Sequence, residues 1–139
     1  MAGSLADVGE ALALNLLFRN TDASPTNVYL GLATSGILDS NSLAEIIEED
    51  DGGYSRQVVT FTVPADNGAG AMEITNDGQI QFGPWASNAD SAITHAFLTD
   101  VSSGTTGNLL AWFELPESKT PSSGETLTVP INELVFSIS

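Results

Sequence analysis

The stretch from Ile93 to Glu114, ITHAFLTDVSSGTTGNLLAWFE, constrains the fold more than any other. Ile93 to Leu98 and Leu109 to Phe113 are two runs rich in β-branched, aromatic and aliphatic side chains. Asp100 to Asn108 between them supplies Ser, Gly, Thr and Asn, residues that turn a chain at low cost. Both runs are nearly continuous in apolar residues, as strands covered on both faces are. They predict a central hairpin inside a β-rich fold.

The rest of the chain supplies strands to flank that hairpin. Asn27 to Ala33 reads as a strand, and in Tyr54 to Val63 the apolar Val59, Phe61 and Val63 alternate with Thr60 and Thr62. Met72 to Ile74, Ile80 to Phe82, Thr126 to Val129 and Leu134 to Ile138 complete about eight short strands, with turn residues spaced as in a sandwich or barrel. Ser4 to Phe18 carries Leu5, Val8, Leu12 and Leu16 at helical spacing, and Asp7 with Glu10 has the spacing of a capping box. Leu14, Leu17 and Phe18 widen its apolar face until the helix needs something to dock on. A second capping-box spacing, Ser42 with Glu45, opens a helical turn inside the excursion from Thr34 to Asp51. The chain therefore reads as one domain over 1–139, with a helical docking segment at 1–20 and a β-sandwich over 27–139.

Charge narrows the function. With 18 acidic side chains against 3 Lys plus Arg, a net charge of −15 and a pI near 4.1, the surface repels phosphate backbones and anionic lipid. The reading is no nucleic-acid partner and no membrane partner. There are no cysteines, so no disulfide, thiolate metal site or cysteine nucleophile is available. The N-terminus has no basic region and carries Asp7 and Glu10, unlike a secretory leader. A protein made in a cytosol is expected.

No constellation in the sequence demands catalysis. His95 is the only histidine, sits mid-strand, and has no G-x-S-x-G elbow to serve. Paired carboxylates are inevitable among so many acids and single out no glycosidase site. The acidic run Glu45 to Asp51 lacks the spacing of a calcium loop and reads as a solvated loop. The expectation is no enzyme, no metal and no cofactor. Arg56, a lone cation just after that run, reads either as a local ion pair or as an intersubunit one. Trp85 and Trp112 read as core, or as interface anchors in an oligomer.

Several of these segments together resemble a family of small phage virion proteins, often labelled tail-fibre proteins or capsid decoration (cement) proteins. The matching pieces are Ala11 to Phe18, Val28 to Ala33, Gly52 to Phe61 with its G-G-Y-x-R-Q, Ile93-Thr94-His95, Gly107 to Trp112 with its G-N-L-L, and Ser118 onward. The chain departs from the family pattern in having Ser91-Ala92 rather than Trp-Gly before the Thr-His strand, and Ala96 rather than Gly after it. The resemblance implies a jelly-roll-like antiparallel β-sandwich with a short N-terminal α-helix, assembling as a homotrimer on the outer surface of a phage capsid. Its partners would then be the major capsid protein and further copies of itself, and its role would be to bridge capsid subunits and stabilise the shell. Leu12, Leu16, Phe18, Arg56 and Trp85 are the expected contact residues. The alternative within the same resemblance is a tail-fibre or receptor-binding component touching host surface glycans, with the loop around Trp85 as the contact.

Overall fold

The computed structural model describes residues 1–139. The predicted hairpin lies inside the widest sheet. β7 (Ile93–Thr99) and β8 (Leu109–Lys119) pair antiparallel, flanked by β2 (Val28–Ala33) and β3 (Gln57–Val59) on one side and β1 (Gly3–Leu5) on the other. The five-stranded order is β1-β8-β7-β2-β3. A three-stranded sheet is built from β4 (Ala65–Asp66), β5 (Met72–Thr75) and β10 (Val135–Ile138) in the order β10-β5-β4, and a two-stranded one from β6 (Ile80–Phe82) and β9 (Leu127–Val129). All of these ladders are antiparallel. The fold is mainly β, as the sequence predicts.

Both faces of the wide sheet are covered, which explains the continuous apolar runs. Leu30, Leu32, Ala96, Leu98 and Phe113 pack against Phe82, Trp85, Val129 and Leu134 from the two narrow sheets and their loops. On the reverse face Ala33, Phe97 and Leu109 meet Ala6, Ile37 and Leu43 from the helical segment and the 34–51 excursion. A register shift between Ile93 and His95 lets Ile93 share a face with Ala96 and Leu98 despite the odd spacing.

Three local expectations are corrected. The segment read as a helix from Ser4 begins as strand β1, because Gly3, Ser4 and Leu5 pair with Phe113, Trp112 and Ala111 of β8. Helix α1 runs only from Asp7–Leu14, followed by a wider π-helical turn over Asn15–Arg19. Its N-cap is Ala6, with no side-chain cap, so the Asp7 and Glu10 capping box does not form. The strand read from Tyr54 to Val63 is regular only over β3, with a single further bridge from Phe61 to Asn76. The second capping box does form: the Ser42 N–H donates to Glu45 at 2.9 Å, opening a one-turn helix over Leu43–Glu45. That bond from the Ser42 backbone also holds the Glu45 carboxyl below the usual carboxylate range.

Candidate interaction surface

The acidic excursion proves to be a set of internal anchors. Arg56 is 8% exposed, and its Nε and Nη2 form a fork on the Glu48 carboxylate at 2.8 and 2.7 Å. Nη1 donates to the Val101 carbonyl at 3.1 Å and Nη2 to the Gly104 carbonyl at 2.9 Å, tying down the loop of the central hairpin. The guanidinium also lies over the Phe97 ring, 5.3 Å from its centroid. Tyr54 completes the group: its hydroxyl donates to Glu48 at 2.8 Å and accepts from the Leu32 N–H at 2.8 Å. Burial first, and the Glu48 charge second, push the Tyr54 phenol well above its ordinary range, so it stays a donor.

Asp51 performs a similar service for the loop after β6. Its carboxylate accepts from the N–H groups of Ala86, Gly53 and Ser87 and from the Ser87 hydroxyl, all within 3.0 Å. Those bonds, led by the one from Ala86, lower its pKa from 3.8 to about 2. Glu49 turns back on its own loop and accepts from the Asp50 and Asp51 N–H groups. The carboxylates of Glu45, Glu48, Glu49 and Asp51 thus bond separately, each to its own donors.

These placements settle what the side chains named from sequence touch within the chain. Arg56 is occupied inside the protomer with Glu48. Trp85 is 2% exposed, packed beside Tyr54 in the core, so the loop around it does not present the indole outward. His95 lies 6.0 Å from the Trp112 ring, with Nδ1 2.9 Å from the Thr94 hydroxyl. Leu12 packs against the main core, and Leu16 is half-buried. Phe18 is different.

The end of the helical segment is an apolar knob. Leu17 is 75% exposed and Phe18 79%, with Leu14 exposed beside them. Arg19 follows, its guanidinium bonded only to the Asn15 side chain at 3.1 Å. A second apolar surface lies at the open end of the three-stranded sheet. Met72 and Ile138 are cross-strand partners and both are exposed, with exposed Val63 on the neighbouring segment. Their inward neighbours Ile74 and Phe136 face each other in the same register, and Phe136 packs on Phe113 and Phe61. The apolar stripe therefore starts in the core and runs out into solvent. Sequence reasoning found the knob through its crowded Leu and Phe spacing. It missed the sheet end, which needs the β5–β10 register to be seen.

Beside this mainly β fold with its outward-facing apolar ends, the comparison by family points to phage virion structural proteins. The family model described as podophage GP4 fiber I protein gp80 matches residues 4–137, and the chain belongs to that family. No curated protein matches it.

Proposed function

We propose that this chain is a non-catalytic structural component of the virion exterior, a fibre-type protein held in the particle by the apolar end of its N-terminal helical segment. The observation that carries the reading is the knob of Leu17 and Phe18. Two large apolar side chains left mostly exposed side by side at a helix end serve attachment better than folding. Family membership supports the fibre role, since the family's description is that of a fibre protein. The acidic surface keeps many copies soluble and discourages contact with packaged DNA or anionic membrane.

A capsid-decoration role is the second reading, favoured by one observation. The chain has no shaft: its α-helix is eight residues long and its longest strand eleven. A compact plug of this kind suits a surface lattice, where many modest contacts add through avidity. Quantitative mass spectrometry of purified particles, relative to the major capsid protein, separates the two. A small fixed number of copies per particle is the result expected of a fibre. A near-equimolar ratio would replace that role with decoration, and absence from the particle would remove both.

A further inference from the structure

We propose that the knob at Leu17, Phe18 and Arg19 docks into a groove at the far end of β8 on a second copy of this chain, giving a head-to-tail contact. This rests on the attachment role proposed for the helix end and names its first partner. The groove is a cavity of about 250 Å³ between the last part of β8 and β9. Leu115, Pro116, Leu127, Val129 and Pro130 line it, with the buried Leu32 and Ala96 at its base. β8 is unpaired on this side, because β1 covers it only as far as Phe113. β9 is likewise paired only to β6. Pro116 and Pro130 lack N–H donors, so an added strand would find gaps in its ladder, whereas an apolar side chain needs no donors.

Knob and groove cannot meet within one molecule. From Gly3 opposite Phe113 the chain passes Leu5 opposite Ala111, and Gly9 then sits against the Leu110 carbonyl. Leu12 follows beside Asn108. The helical segment therefore leaves by the Leu109 end of β8, while the groove lies at the Leu115 to Lys119 end, roughly 20–30 Å away at the rise of a strand. Two different patches at opposite ends make a heterologous interface, which closes into a ring when the rotation between copies allows it.

Charge supports the same occupant. Arg19 is the only Lys or Arg with no carboxylate partner within 4.0 Å. On the groove rim Glu117 has a side chain 79% exposed, bonded only to Lys119 two residues away at 3.2 Å. Glu133 is also on the rim and is engaged by the N-terminal amine. Glu117 is therefore the acid available to Arg19 of a neighbouring copy.

The purified full chain tests this directly. Sedimentation velocity should show an oligomer whose association weakens about tenfold or more in Phe18→Asp and in Arg19→Glu, and recovers when Arg19→Glu is combined with Glu117→Arg. All three positions are exposed, so folding is not at stake. The chain has no cysteine, so an Arg19→Cys, Glu117→Cys double variant should form disulfides between copies on oxidation, while either single variant should not. A wild-type chain that stays monomeric, or an oligomer indifferent to both Phe18→Asp and Arg19→Glu, overturns the proposal. Particle incorporation separates the two readings. Loss of Phe18→Asp from virions with a monomeric wild-type chain sinks self-docking but leaves attachment by the helix end. Full incorporation of Phe18→Asp sinks attachment itself.

Discussion

Gly9 shows how a residue that weakens a helix can be required by the fold around it. A Cβ at this position would run into the Leu110 carbonyl oxygen of β8, so only glycine lets α1 lie this close to the sheet. Gly9→Ala gains about 1 kcal/mol in helix propensity. It should nevertheless lower stability by about 1–3 kcal/mol in chemical denaturation, because overpacking against backbone outweighs propensity. The buried fork at Arg56 has similar leverage. Arg56→Ala leaves Glu48 without its cation and the Val101 and Gly104 carbonyls without their donor, and should cost about 3 kcal/mol or more by the same measurement. Tyr54→Phe removes a donor to Glu48 and an acceptor for the Leu32 N–H, and should cost about 1–3 kcal/mol. From the sequence Arg56 reads as a cation that must pair with one of many acids. That its partner is Glu48, eight residues back, depends on how the excursion folds over the hairpin loop.

Among the elements, those with local causes were legible and those with distant causes were not. The hairpin of β7 and β8, strand β2 and the Ser42 capping box follow from apolar runs, turn residues and a short spacing that work over a few residues. Strand β1 does not, because Gly3, Ser4 and Leu5 have little strand character of their own and are held by β8, more than a hundred residues later. Strand β4 hides in a loop although its partner β5 lies only a few residues on, because Ala65 and Asp66 have little strand character of their own. The knob at the helix end could be read from Leu17 and Phe18, whereas the groove it is proposed to fill assembles from β8, β9 and their flanks and leaves no local signal. One pH effect belongs to this scale. The Asp51 carboxylate holds the loop after β6, and its pKa falls from 3.8 to about 2 on folding. A depressed pKa contributes stability that is present above about pH 4 and is lost as the pH falls toward 2. Thermal melts across that window should show a steep decline for the wild-type chain and a shallower one for Asp51→Asn.

At the scale of the whole molecule, a net charge of −15 sets the terms on which copies meet. Each approaching pair of copies repels across the whole surface, and only the knob offers an unpaired cation. Raising the ionic strength from low to physiological shortens the screening length to about 8 Å and weakens the general repulsion more than one contact pair. Self-association measured by sedimentation should therefore strengthen with added salt over that range. The direction of β8 has a mechanical consequence. If copies join knob to groove, a pull on the assembly enters each protomer beside Leu109 and leaves near Lys119, along the axis of the strand. The hydrogen bonds to β7 lie across that axis, so a tensile load shears the ladder and its bonds share the force together. A load applied across the strand would instead peel them one at a time. A chain linked in this way would carry tension along its strongest direction.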